Sequence, residues 1–308
     1  MKNFADRLIE RSRRLDSVVC VGLDPQLERL PKELLAPALE QSGDKLEGAA
    51  EAVAQFCREV IGVVADTAVA VKPQAAFFEK LGWPGMRALA EVCRRAHEAG
   101  LLVIADVKRG DIGSTAAAYA QAYLGRQELG TEVVRAWTAD AVTVNPYLGQ
   151  DGVEPFVREA ARFGGGVFVL VRTSNPSAGQ LQDLSTAGKK VYEHVAELLA
   201  EQAHVLAGEA GYSALGAVVG ATYPEELADL RKRMPRNLFL VPGYGAQGGT
   251  AEDVAAAFDL DGNGAVVNAS RSVIFAFEKT RETPWKDAVR QAAADMREEL
   301  NRVRRRRK

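Results

Sequence analysis

Between residues 104 and 116 the chain reads IADVKRGDIGSTA, an apolar run that ends in Asp106, Lys108, Arg109 and Asp111. A solvated turn is the plain reading of so many charges; an active site is the sharper one. Period-two alternation puts Asp106 and Lys108 on the same side of a strand. If that side faces inward, the two charges must be paired, because an unpaired buried charge is costly. Lys72 ends another apolar run, AVAVKP at 68–73, and is a candidate partner from a neighbouring strand. Alternating Lys and Asp in one desolvated place would create a fixed field aimed at charge developing on a substrate.

Other apolar runs end in polar groups too: one in Asp24, one in Thr173-Ser174-Asn175, one in Gly243, Gly245 and Gln247, and one in Ser270-Arg271. The elements that must position them are eight β-rich runs, VVCVGLD (18–24), AVAVKP (68–73), LLVIADVK (101–108), AVTVNP (141–146), GVFVLVRTS (166–174), LGAVVGAT (215–222), LFLVPGYG (238–245) and GAVVNASRS (264–272). Most are continuously apolar rather than alternating, as expected of parallel strands covered on both faces. Amphipathic helices lie between them. WPGMRALAEVCRRAHEAG (83–100) ends in a glycine suited to a C-cap, and ATYPEELADLRKRM (221–234) carries Pro224 where a first turn tolerates it.

Eight such repeats predict an α/β fold, a (β/α)8 TIM barrel, rather than a doubly wound open sheet. Barrel active sites lie at the C-terminal ends of the strands, where these polar residues fall. Residues 25–67 read as extra helices between strands one and two (LPKELLAPALEQ and LEGAAEAVAQFCREVIGVVADT). No Ser/Gly-rich linker interrupts the chain, so a single catalytic domain is expected over residues 1–308.

Two motif matches mislead. GYGAQG (243–248) fits the dinucleotide fingerprint, yet it lies in the seventh repeat, whereas that fingerprint normally opens the first βα unit. It reads better as a backbone cradle for one phosphate, with Arg271 as the matching cation and bidentate fork. DLDGNG (259–264) begins like an EF-hand loop, but position twelve is Ser270 rather than the bidentate Glu, so calcium is not expected.

With these residues in view, the chain resembles the orotidine 5'-monophosphate (OMP) decarboxylase family, in particular its longer bacterial subgroup. The D-x-K-x-x-D signature stands as Asp106, Lys108 and Asp111, together with Lys72, RTSNPSAGQLQD, VPGYGAQGG and the strand-eight arginine. The resemblance runs from VGLDP to NASRS. It implies decarboxylation of OMP to UMP and CO2, the last step of de novo UMP biosynthesis, without metal or organic cofactor. It further implies that Asp24 bonds a ribose hydroxyl and that Lys72 binds ribose and ties the charges together. Asp106 would lie against the substrate carboxylate, and Lys108 would protonate C6. Ser174 would meet the pyrimidine edge, and Gln247 and Arg271 the 5'-phosphate, beside Gly245 and Ser270. Asp111 and Thr115 would reach into the partner's site in a homodimer with shared active sites. Arg109 and Gly110 would form the turn between the two halves of the signature.

The polar stretch TSNPSAGQLQD (173–183) is expected to be a closing lid, since binding energy from a remote phosphate can drive closure at the reacting centre. Two other readings stay open. One is a D-x-K-x-x-D sugar-phosphate decarboxylase or aldolase that uses Mg2+; the other is a non-catalytic barrel that binds a phosphate ligand.

Composition narrows the partners. A formal net charge of -2 gives no general pull toward nucleic acid or anionic membrane. Cys20, Cys57 and Cys93 show no metal or redox spacing and read as reduced thiols of a cytoplasmic protein. His97, His194 and His204 sit in helical surroundings, so no metal site is expected from them. The N-terminus MKNFADRLIERSRRLDS lacks the apolar segment of a secretory signal, and no run is long enough to span a membrane. The basic end RVRRRRK is expected to be a solvated, frayed helix end rather than a nucleic-acid contact.

Overall fold

The computed structural model describes residues 2–246, 248–280 and 283–306. Eight parallel strands close into a barrel: β1 (Val19–Leu23), β2 (Ala70–Pro73), β3 (Leu102–Arg109), β4 (Ala141–Val144), β5 (Gly166–Arg172), β6 (Ser213–Val219), β7 (Asn237–Val241) and β8 (Ala265–Ala269). Each pairs with its sequence neighbours, and β8 returns to β1 through Val19 opposite Val267 and Val21 opposite Ala269. Val19, Val21, Val103, Val142, Val167 and Val267 are all buried. Helices cover the outer face, which is why these strands carry no polar alternation.

The segment between β1 and β2 forms helices Lys32–Gln41 and Lys45–Val64. Asp44 caps the second by accepting the Leu46 N–H at 2.7 Å. Its buried face, including Phe56, Val60 and Val64, joins the barrel core. At the N-terminal end of the barrel, helix Phe4–Leu15 places Phe4 edge-on to Phe168, with ring centroids 5.9 Å apart. Gly166 makes room for it, since a Cβ there would lie 2.4 Å from the Phe4 ring.

Three details depart from the sequence reading. The basic C-terminus is not a frayed end over its described length. Helix Trp285–Arg305 runs nearly to the terminus, Val303 and Arg304 are buried, and Arg304 donates to the Gly262 carbonyl at 2.8 Å. Burial of Val303 and the bonds of Arg304 to the Gly262 carbonyl and of Asn301 Nδ2 to the Asp16 carbonyl (2.7 Å) hold this end down. Arg109 is not part of a turn but the last residue of β3, opposite Val144, and its guanidinium pairs with Glu79 at 2.7 Å. Two small antiparallel hairpins, Gln127–Leu129 with Glu132–Val134 and Ser185–Thr186 with Lys189–Lys190, were not anticipated.

Candidate active site

Lys72, Asp106 and Lys108 meet at the C-terminal mouth of the barrel, on adjacent strands as the alternation predicts. Asp106 is the hub. Its Oδ2 accepts Lys72 Nζ at 2.5 Å and Gln74 Nε2 at 3.0 Å; its Oδ1 accepts Lys108 Nζ at 2.5 Å and Thr143 Oγ1 at 2.9 Å. Lys72 and Asp106 are buried, whereas the Lys108 side chain is 45% exposed and opens to the cavity. Burial pushes the Asp106 carboxyl up, but the two ammonium groups outweigh it and hold it well below the usual carboxylate range. Burial likewise disfavours charge on Lys72, yet Asp106 and Asp24 overcome this and raise it above an ordinary lysine. The buried Lys72–Asp106 pair therefore stays ionised, an arrangement a barrel interior tolerates only when its charges are compensated.

The backbone is bent to achieve it. Lys108 has φ +44°, in the left-handed region that a side chain adopts at a cost of about 1–3 kcal/mol. Between Ala105 and Arg109 the β3–β4 register slips. Thr143 Oγ1 fills the gap by accepting the N–H groups of Val107 (3.0 Å) and Lys108 (2.9 Å) while donating to Asp106. One hydroxyl thus fixes both the strained peptide and the carboxylate it serves.

The cluster forms one wall of a cavity of about 630 Å3. Asp24, Ser174, Ser270 and Arg271 line the same cavity, so seven of the eleven residues singled out in the sequence converge there. The Oδ1 atoms of Asp24 and Asn268 are buried and accept no hydrogen bond among the described residues, which suits them to a ligand's donors. Gly22 lets β1 and β8 approach at this point, because a Cβ on it would lie 1.9 Å from Ser270 Oγ.

Three of the described residues lie elsewhere. Asp111 and Thr115 are not on the cavity wall; Asp111 is half-buried, accepts the Ile112 N–H at 2.8 Å, and Thr115 is exposed. Gly243, Tyr244 and Ala246 line the cavity, while Gly245, at φ +75°, lines a neighbouring hollow beside Ser272. Gln247 lies outside the described residues.

Gln74, Thr143 and Asn268 were missed. Period two carried a signal for two of them: Gln74 follows Lys72 by two residues, and Asn268 precedes Ser270 by two. Thr143 sits in the middle of the apolar run AVTV, where a threonine reads as a β-branched filler.

Fold and site together define a (β/α)8-barrel enzyme with a charged Lys–Asp–Lys wall in a cavity sized for a small molecule. The chain belongs to the orotidine 5'-phosphate decarboxylase / HUMPS family, whose model matches residues 17–283. A relative from Rhodopirellula baltica named orotidine 5'-phosphate decarboxylase is 52% identical over 306 residues, 97% of this chain and 99% of its own length. One of the same name from Deinococcus radiodurans is 42% identical over 301 residues, covering 97% of each chain. The crystal structure of a putative orotidine-monophosphate-decarboxylase from Toxoplasma gondii superposes with a TM-score of 0.82 at 33% identity, covering 99% of this chain and 98% of that one.

Proposed function

We propose that this chain is an orotidine 5'-phosphate decarboxylase, converting OMP to UMP and CO2 in UMP biosynthesis. The observation that carries the reading is the Lys72–Asp106–Lys108 network on the wall of one cavity, in a chain so similar along its length to relatives of that name. Loss of CO2 leaves negative charge at C6 of the pyrimidine, with no cofactor sink to delocalise it. Lys108, open to the cavity and anchored by Asp106, stabilises that charge and then delivers the proton to C6. Asp106 lies against the leaving carboxylate, and Lys72 keeps it ionised. Asp24 and Lys72 hold ribose hydroxyls, and Ser174 faces the pyrimidine edge. Arg271 and Ser270, with Gln247 and the Gly245 turn, grip the 5'-phosphate. The loop 173–183 closes over the base.

Two subunits complete each site. Asp111 and Thr115 point away from their own cavity, and apolar Ile112, Tyr119, Tyr147 and Leu148 are exposed. Asp111 and Leu148 border the same glycine, Gly152, so the charged residue and part of this apolar surface adjoin. That pattern fits a homodimer in which both residues enter the partner's mouth. The chain works as one catalytic domain in the cytoplasm, where its three buried free cysteines stay reduced. Among the described residues no helix is long and apolar enough to cross a membrane.

The test is to mix purified protein with OMP and follow the loss of its ultraviolet absorbance with and without EDTA. Turnover unaffected by the chelator is expected. Turnover that EDTA abolishes would favour a Mg2+-dependent sugar-phosphate lyase on the same barrel.

A further inference from the structure

One side chain clamps the loop after β5 from both ends. Gln182 Oε1 accepts the Thr173 N–H at 3.0 Å, and Gln182 Nε2 donates to Thr173 Oγ1 at 2.7 Å. Thr173 Oγ1 in turn donates to Asn175 Oδ1 at 2.6 Å. These partners fix which way the Gln182 amide faces. The clamp is tied to the barrel through Arg172, the last residue of β5, whose guanidinium donates to Gln182 Oε1 at 3.4 Å. Arg172 is itself immobilised: it is 2% exposed, pairs with Glu226 at 2.6 Å and lies 4.1 Å from the Tyr223 ring centroid. On the opposite side Gly220 lets the Ser174 backbone settle close, since a Cβ there would lie 2.9 Å from Ser174 Cβ. Thr173, Ser174, Asn175 and Gln182 all line the cavity.

We propose that Gln182 is a positioning residue for the decarboxylation: acting through Thr173, it holds Ser174 and Asn175 against the pyrimidine end of the nucleotide. This rests on the OMP reading above. A loop joined only at its ends samples many arrangements, and ligand affinity falls in proportion to the fraction that is competent. The clamp keeps that fraction high. Its loss acts chiefly on binding, because Lys72, Asp106 and Lys108 stand on separate strands and do not move with it.

The experiment compares Gln182→Ala, Thr173→Val and the double variant with the wild type, using OMP for turnover and UMP for calorimetric binding. Each single variant is expected to raise KM for OMP and weaken UMP about tenfold, with kcat within about threefold. The double variant should be no worse than the weaker single, because both substitutions break one link. Gln291→Ala, at an exposed position on helix Trp285–Arg305 and off the cavity wall, should behave as wild type. Melting temperatures should agree within a few degrees. An unchanged KM in Gln182→Ala, additive losses in the double variant, or a fall in activity that tracks a large fall in melting temperature would overturn the clamp. A wild type inert toward OMP would sink the reaction itself and this inference with it, whereas an active wild type with indifferent variants would sink only the clamp.

Discussion

Lys108 combines three features seldom found together in one side chain: a left-handed backbone, a bond to a buried carboxylate, and nearly half its surface open to the cavity. Strain of that kind persists only where neighbouring groups enforce it, and Thr143 does so here. Lys108→Ala should therefore fold, since it removes a partly exposed charge and leaves the same Cβ at the positive φ. It should also lower kcat by at least about 10^3-fold, because it removes both the proton donor and the cation facing C6. The check is OMP turnover alongside thermal melting; near-normal kcat in a folded variant would sink the proton-donor role. The charged members of this site were legible because Asp and Lys at the end of an apolar run conflict with burial unless they have work to do. The uncharged members were not. Thr143 satisfies two peptide N–H groups that exist as orphans only because the β3–β4 register slips, and nothing in AVTVNP announces that slip.

At the level of elements, the barrel strands were readable because a parallel strand covered on both faces must be apolar throughout. The hairpins were not, because strands of two or three mostly polar residues carry no period; Ser185–Thr186 and Lys189–Lys190 are shaped by the left-handed turn at Ala187 and Gly188. The ties between elements at the N-terminal end of the barrel were equally hidden. Asp140, just before β4 and 2% exposed, accepts the Val103 N–H from β3 at 2.9 Å, pairs with Arg7 of helix Phe4–Leu15, and faces His97 Nδ1 of helix Gly82–Glu98 at 3.6 Å. Asp140 raises the His97 pKa above its ordinary value of 6.5, against the effect of half-burial. Burial pushes Asp140 up, but His97 and Arg7 prevail and hold it low. A raised histidine contributes stability in full below its unfolded value, and that contribution is lost as pH rises through the folded one. His97→Asn should therefore melt below the wild type by about 1–2 °C under mildly acidic conditions, a small gap because the ring is half exposed. The two melting curves should converge once the pH exceeds the raised His97 value. Melting scans of both proteins across that window at low salt are the check, and a gap independent of pH would remove the charged pair as its cause.

At the scale of the whole molecule, the D-x-K-x-x-D signature divides. Asp106 and Lys108 serve the barrel they grow from, while Asp111 and Thr115 stand beyond its cavity next to exposed apolar side chains. A sequence shows that three charges are spaced for one chemistry, but not that the chain past Gly110 takes the third off the cavity wall; that depends on where β3 ends. If Asp111 acts across a two-fold interface, sites in mixed dimers can be counted. A subunit with Lys108→Ala supplies a sound Asp111, and a subunit with Asp111→Ala supplies a sound Lys108. In their heterodimer one of the two mouths then contains both intact residues, and the other contains neither. Random exchange between equal amounts of the two inactive variants makes about half the dimers mixed, so activity should recover to about a quarter of wild type per subunit. Were Asp111 to act within its own barrel, every mouth in the mixture would lack one residue or the other, and no activity would return. The measurement is OMP turnover after subunit exchange, with differently tagged variants and tandem purification to verify that heterodimers have formed. Recovery near that fraction requires the site to be shared; verified heterodimers as inactive as their parents would confine Asp111 to its own chain.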